Sequence, residues 1–259
     1  MQKLGAFFFF SFVFAVTAHA QWQVVSTKSE FAADRRIEHR RVEVRSENGT
    51  EAALDLALFS SKTATLRVID DPQISERLAE TMKRENCLAG VNGGYFDPEY
   101  LPVGLLVSDG RTIAPQRKAR LLSGVVSVVK GRVRIQRTAE FSRKSKPTAA
   151  LQCGPFLVDH AQAIAGLNDT RAARRTFVAT GSADQSLVGY ATHLTLAQLA
   201  AVLATPAIAH EMKLQRALNL DGGSSSAFWC AQDNGAFSIR EQKSVRNYLA
   251  VVPVPAPAP

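Results

Sequence analysis

The chain has 259 residues, 46% of them hydrophobic, and a formal net charge of +8. That length holds one sizeable core, so a single main domain is expected. The basic balance favours phosphate-bearing polymers or an anionic wall, but no recognition helix or aromatic RNA motif is present, so nucleic acid is not the expected partner.

The N-terminus reads as a secretory signal peptide over residues 1–20. Lys3 precedes an apolar run at 4–16, and Ala18-His19-Ala20 forms a small-residue cleavage site before Gln21. The run is short for a span of about 20 residues. No later stretch is apolar enough to cross, so no stable membrane anchor is expected. Removal of the leader, which carries Lys3 and no acid, leaves about +7. The expected destination is across the inner membrane, in the periplasm, with release outside the cell as the alternative. Three cysteines remain, Cys87, Cys153 and Cys230. In an oxidising compartment one disulfide and one leftover thiol are expected, with all three pairings open.

Residues 21–50 are polar and mixed in charge, with Val42 and Val44 spaced as in an edge strand. Leu54, Leu56 and Leu58 alternate with Asp55 and Ala57 as a half-buried strand, and 65–69 is a second. A helix should follow. Asp71 can cap it, Pro72 suits its first turn, Ile74, Leu78 and Met82 share a face, and it ends near Asn86. Residues 88–92 form a buried strand that runs into Gly93-Gly94. Residues 103–107 read as a strand with Asp109-Gly110 as its turn. Residues 125–129 and 132–135 form a hairpin about Lys130-Gly131, followed by a basic, polar loop at 138–149. Residues 151–158 are apolar but broken by Gly154-Pro155. Residues 176–180 and 187–191 make another hairpin. A second helix starts from a Thr195 cap, runs through Leu196, Leu199, Ala200 and Leu203, and stops at Pro206. Residues 218–220 deliver Asp221, and 247–252 is a last strand before a Pro/Ala-rich flexible tail at 253–259. Many strands, two helices and no regular βα alternation lead to an expected α+β class. The domain over 21–252 would carry a mixed, strongly curved β-sheet with a few flanking helices.

Two stretches hold most of the chemistry. Asn92-Gly93-Gly94-Tyr95-Phe96-Asp97 and Asn219-Leu220-Asp221-Gly222-Gly223-Ser224-Ser225 each end an apolar strand at a polar residue near paired glycines. Glycine lets the backbone take positive φ and lets a ligand come close. Asp221 beside these small donors suits an anionic, hydroxylated ligand, although an Asp bonding its own turn is equally common. Arg175, in Arg174-Arg175-Thr176, presents a planar fork matched to phosphate oxygens. There is no G-x-S-x-G elbow, no G-K-[ST] phosphate loop and no G-x-G-x-x-G. His210-Glu211 begins like a zinc helix, but Leu214 stands where the second His belongs. His39, His160 and His193 are scattered.

Taken in order, these pieces resemble the phosphodiester glycosidase domain family over residues 54–252. The family's N-G-G-[FY]-F is similar to Asn92 through Phe96, and its Q-x-G-P to Gln152-Cys153-Gly154-Pro155. Its R-T strand start resembles Arg175-Thr176, and its most diagnostic segment resembles Asn219 through Ser225. Ser224 stands where many members have a third glycine. Lys243-Ser244-Val245-Arg246-Asn247 replaces the usual R-x-V-P-N.

The resemblance implies an exported hydrolase of sugar-1-phosphodiesters acting on a phosphorylated glycan. Asp221, Asn92 and Arg175 would be the catalytic residues. Gly93, Gly94, Asp97, Gly154, Thr176, Asn219, Gly222, Gly223, Ser224 and Ser225 would bind substrate. A second carboxylate is usual in glycosidases, and Asp97 is the nearest motif candidate. No cofactor is expected, although Asp and Asn oxygens could hold a divalent cation. A non-catalytic binder of wall or capsular glycan phosphates, and a plain glycoside hydrolase or transglycosylase, are the alternatives.

Overall fold

The structure, a computed structural model, describes residues 21–254 except Asp34 and Ala183. The expected signal peptide and the last five residues of the expected tail lie outside the described residues. Between 21 and 50 the chain forms a long hairpin in place of a lone edge strand. β1 (Trp22–Ala32) pairs with β2 (Ile37–Ser46), and β2 pairs with β3 (Glu51–Ser60). β1 is the sheet edge and is exposed along most of its length. Its mostly polar sequence therefore hides it from a hydrophobic periodicity.

β4 (Ala64–Asp70) leads to α1 (Leu78–Arg84), which is shorter than the sequence implies. Asp71 caps a turn and not the helix: its Oδ2 accepts from the backbone N–H of Ser75 (2.9 Å) and of Glu76 (3.3 Å). Ile74 has φ 52°, so the chain cannot be helical there. The first helical N–H, at Leu78, donates to Glu241 Oε1 (2.9 Å), 163 residues away, a partner that local spacing cannot reveal.

Next come β5 (Ala89–Asn92), β6 (Leu106–Ser108), β7 (Arg111–Ala114), β8 (Gly124–Val129), β9 (Arg132–Arg137) and β10 (Ala149–Cys153). β11 (Phe156–Asp159), β12 (Gln162–Ala163), β13 (Ala173–Thr180) and β14 (Gln185–Leu194) precede α2 (Leu196–Leu203). Thr195 caps α2 reciprocally with Gln198, accepting its N–H (3.1 Å) while Gln198 Oε1 accepts from Thr195 N (2.9 Å). β15 (Arg216–Asn219), β16 (Phe228–Gln232), β17 (Gly235–Ile239) and β18 (Asn247–Pro253) complete the described elements.

The expected α+β class, with one mixed sheet, is overturned. The strands form three sheets in the orders β1-β2-β3-β14-β13-β15-β11-β12, β7-β6-β10-β8-β9 and β17-β16-β5-β18-β4. Every pairing in them is antiparallel. The protein is mostly β. Two helices of 7 and 8 residues are too short to cover such sheets, so the sheets cover one another. The central core draws on all three: Phe59, Val178, Val188 and Leu218 from the first, Leu106, Val126 and Leu151 from the second, and Val68, Val91, Phe228 and Leu249 from the third. α2 closes the outer face of the first sheet, against Leu56, Phe177 and Leu187. α1 closes the outer face of the third, against Trp229 and Tyr248.

All three cysteines are free and buried, contrary to the expected disulfide. Cys87 packs in the layer beneath α1, whereas Cys153 and Cys230 lie in the central core. Burial pushes the Cys87 thiol up to about 12. Among the described residues no helix is long and apolar enough to cross a membrane.

Arg246, where the family pattern has proline, is buried and forks onto Asp70 at 2.7 and 3.0 Å while donating to the Tyr100 carbonyl (3.0 Å). It ties β4 to the 97–101 loop. Truncation leaves a largely buried carboxylate without its partner. Arg246→Ala is therefore expected to lower the free energy of unfolding by about 3 kcal/mol, read as a lower urea midpoint at unchanged slope.

Candidate active site

One strand from each sheet ends at the same place. Asn92 closes β5 of the third sheet, Cys153 closes β10 of the second, and Asn219 closes β15 of the first. The chain leaves each through a glycine-containing turn or a short link, and backbone bonds cross between them. Asp221 N donates to the Gly93 carbonyl (3.1 Å), and Asn219 N donates to the Pro155 carbonyl (3.0 Å).

Asn92 is fully buried. Its Nδ2 donates to the Asp221 carbonyl (2.7 Å), and its Oδ1 accepts from Ala227 N (3.1 Å). The Thr176 hydroxyl lies 2.7 Å from Asn92 Oδ1 and 2.8 Å from the same Asp221 carbonyl, and its one proton serves either. Asn92 and Thr176 thus hold the turn that presents Asp221, with their polar atoms bonded inside the protein.

Gly93 and Gly94 have negative φ, so backbone freedom is not why they are glycines. A Cβ on Gly93 would lie 2.0 Å from Asn247 Oδ1. That oxygen accepts from Gly94 N (2.8 Å), and the Asn247 carbonyl accepts from Gly93 N (2.8 Å). Gly223 does have the positive φ, at 66°, with nothing near a would-be Cβ.

Asp221 is half-buried. Gly222 N donates to its Oδ1 (2.9 Å). Burial raises its pKa above the ordinary carboxylate value, opposed by the Ser225 hydroxyl, the Gly222 N–H and the charge of Lys243. In the turn, Ser225 N bonds to the Gly222 carbonyl (3.4 Å) and Ser226 N to the Gly223 carbonyl (3.2 Å). Of the expected donors, Gly223 N and Ser224 N remain unbonded among the described residues.

Arg175 reaches the same turn. Its Nε donates to the Leu194 carbonyl (3.0 Å) and its Nη2 to the Arg171 carbonyl (2.6 Å). Nη1 would lie 3.8 Å from a Cβ on Gly222. Burial lowers its pKa, and the charge of Arg171 adds to that. Among the described residues Arg175 has no carboxylate partner.

Asn219 and Gly154 form the floor. Asn219 Nδ2 donates to the Gly154 carbonyl (3.0 Å) and the Leu220 carbonyl (2.6 Å), and its Oδ1 is a buried acceptor without a partner. Tyr95, to which the sequence reading assigned no role, also donates its hydroxyl to the Gly154 carbonyl (2.7 Å). Burial, with nearby Cys153 and Asp221, pushes its phenol far above the usual range. Gln152 is a second residue left without a role. Its Oε1 accepts from Leu105 N (3.1 Å) and Arg117 N (3.0 Å), and its Nε2 donates to the Arg117 carbonyl (2.8 Å). Both lie inside quoted motifs, so the signal was their place in a motif and not their chemistry.

Asp97 is placed otherwise. Its Oδ1 accepts from Leu101 N (2.8 Å), closing a local loop, and it is not among the groups that act on Asp221. Lys243 Nζ lies 5.0 Å from the Phe96 ring centre. Among the described residues no three His, Cys, Asp or Glu side chains group as metal ligands.

The model of the phosphodiester glycosidase family matches residues 85–252. The chain belongs to this family. Its fold is similar to the catalytic domain of zebrafish N-acetylglucosamine-1-phosphodiester alpha-N-acetylglucosaminidase, solved auto-inhibited by its pro-peptide (TM-score 0.65, 14% identity, 88% of this chain and 87% of that one). It is also similar to a hypothetical protein from Synechocystis (TM-score 0.61, 13% identity, 90% and 68%). A putative exported protein from Burkholderia pseudomallei shares the fold (TM-score 0.55, 13% identity, 78% and 74%). No curated protein matches the chain. The family motifs at Asn92, Gln152 and Asn219 are the three strand ends that converge.

Asn92→Asp keeps the size and the acceptor for Ala227 N–H but sets a second carboxylate oxygen against the Asp221 carbonyl, where Nδ2 donated. It is expected to cost about 3 kcal/mol at neutral pH, measured by denaturant unfolding.

Proposed function

We propose that this phosphodiester glycosidase is exported and cleaves the bond between a sugar's anomeric carbon and a phosphate oxygen. The observation that carries the reading is a half-buried Asp221 with raised proton affinity in a turn whose Gly222 lies against the Arg175 guanidinium, which has no carboxylate partner among the described residues. Asp221 faces the anomeric carbon, as nucleophile or as base for water. Arg175, with the N–H groups of Gly223 and Ser224, holds the departing phosphate as charge develops on it. Asn92 and Thr176 are positioning residues that act through the Asp221 turn. Tyr95, Asn219 and Gly154 supply the polar floor under the sugar.

Glycosidases ordinarily use two carboxylates, one to protonate the leaving oxygen. The phosphate monoester released from a phosphodiester is a weak base and leaves without that help. A single carboxylate therefore suits this substrate class better than a plain glycoside. The Burkholderia neighbour's description as a putative exported protein and the zebrafish enzyme's named substrate support the same reading.

The test is turnover of an N-acetylglucosamine-1-phosphodiester against the matching plain α-glycoside. Asp221→Asn is expected to lose about 10³-fold in kcat/KM. The raised pKa also sets a stability sign. Between the unfolded value of about 3.9 and the higher folded one, the folded state keeps a proton that the unfolded state has lost. The contribution of Asp221 to stability thus falls as pH rises through that window and stays level above it, read as the difference between wild type and Asp221→Asn. Asp221→Asn should melt no lower than wild type at pH 7, and the acid limb of wild-type kcat/KM should lie above the ordinary carboxylate range. Full activity in the variant would sink the assignment.

Arg175→Met is expected to cut kcat/KM about 100-fold, with only partial recovery in Arg175→Lys, because an ammonium lacks the planar fork. Steady-state kinetics on the same substrate reads both.

A further inference from the structure

Between Asp109 and Glu140 the sequence has no acidic residue, and Arg117, Lys118 and Arg120 stand in the middle of that stretch. All three are exposed. Among the described residues none is ion-paired. Arg40, Arg41, Arg45, Arg67, Arg84 and Arg216, by contrast, each meet a carboxylate.

The loop that carries them is an arch fastened at both feet. Gln152 binds the N–H and the carbonyl of Arg117, and its Nε2 also reaches the Leu122 carbonyl (3.2 Å). Thr138 Oγ1 donates to the same Leu122 carbonyl (2.7 Å), and Gln116 Nε2 donates to the Thr138 carbonyl (3.2 Å). A fixed backbone under three mutually repelling cations loses little freedom on binding.

The arch also abuts the candidate site. A Cβ on Gly154 would meet the Leu121 carbonyl at 2.2 Å, and the Gly154 carbonyl takes the bonds from Tyr95 and Asn219. One residue therefore separates the arch from the site floor. Leu121 itself is 48% exposed. These cations lie outside the turn where Arg175 serves the scissile phosphate, so they fit negative charges further along a chain.

We infer that the arch of Arg117, Lys118 and Arg120 is an extended subsite for a polyanionic glycan, one whose sugars are joined by repeated phosphodiesters. This rests on the proposed function for the bond cleaved, but not for binding. Cations carried on a tethered backbone beside the floor attract the next phosphates and lower KM for polymers without touching the reacting atoms.

The probes are a synthetic tetramer of N-acetylglucosamine joined by 1→6 phosphodiesters and its single-unit methyl phosphodiester. Calorimetric titration uses the Asp221→Asn chain, so that binding is read without turnover. The tetramer is expected to bind about tenfold tighter than the single unit. That advantage should vanish in Arg117→Gln/Lys118→Gln/Arg120→Gln and shrink as salt is raised. With otherwise wild-type sequence, the triple variant should change single-unit kcat/KM less than twofold while raising tetramer KM. Equal binding of the two probes, binding of neither, or an advantage that survives the triple variant overturns the inference. A tetramer advantage lost in the triple variant, in a protein that turns over neither probe, upholds the arch and refutes the hydrolase reading.

Discussion

The carboxamide of Asn92 is the point on which the site's geometry depends. It is completely buried at the end of a strand in one sheet, and it grips the carbonyl of Asp221, which follows a strand in another. Without that bond the two sheets would still pack through apolar contacts, but the turn bearing the carboxylate would have no fixed height or direction. Thr176 doubles the grip, and Asn247 fixes the glycines on the other side. A buried polar network of this kind is costly when partly satisfied and rigid when complete. Here it is nearly complete, with Asn219 Oδ1 and Asn247 Nδ2 as the open valences near the site.

The electrostatics follow from that rigidity. Burial disfavours the charged form of both Asp221 and Arg175, and no ion pair joins them. Each group is held where isolation costs stability. A substrate that brings a developing positive centre to one and a phosphate to the other relieves both. Two partly buried charges without an ion pair depart from the local rules that the surrounding core obeys.

The motifs were legible because the residues they contain have few substitutes. Asp221, Arg175 and the glycine pairs all lie around one spot, and the Thr195 cap and Gly154-Pro155 break lie where the sequence puts them. Reasons were harder to read than positions. Gly93 was expected for conformational freedom, yet its missing side chain makes room for Asn247, a residue 154 positions later. Asn92 was expected to be catalytic and Asn219 to bind substrate, and their amide nitrogens bond carbonyls of the protein. Asp97 was the nearest second carboxylate by motif, and its side chain closes a loop. The fold class was misjudged for a similar reason. Periodicity finds strands one at a time, but whether they join as one mixed sheet or three antiparallel ones depends on pairings such as β3 with β14, which no local pattern encodes. The polar edge strand β1 left no hydrophobic alternation to find.

The three free thiols bear on how such a protein can be handled. Cys87, Cys153 and Cys230 all lie inside packed layers, and no covalent cross-link holds any part of the chain to another. Cohesion comes from sheet-to-sheet packing and from the polar knot alone. Oxidising conditions are therefore not a prerequisite for reaching the native state, and a reducing host or buffer leaves the architecture untouched. The thiols are also poor nucleophiles in their buried, protonated form, so maleimide or iodoacetamide labelling under native conditions would report opening of the core and not surface chemistry.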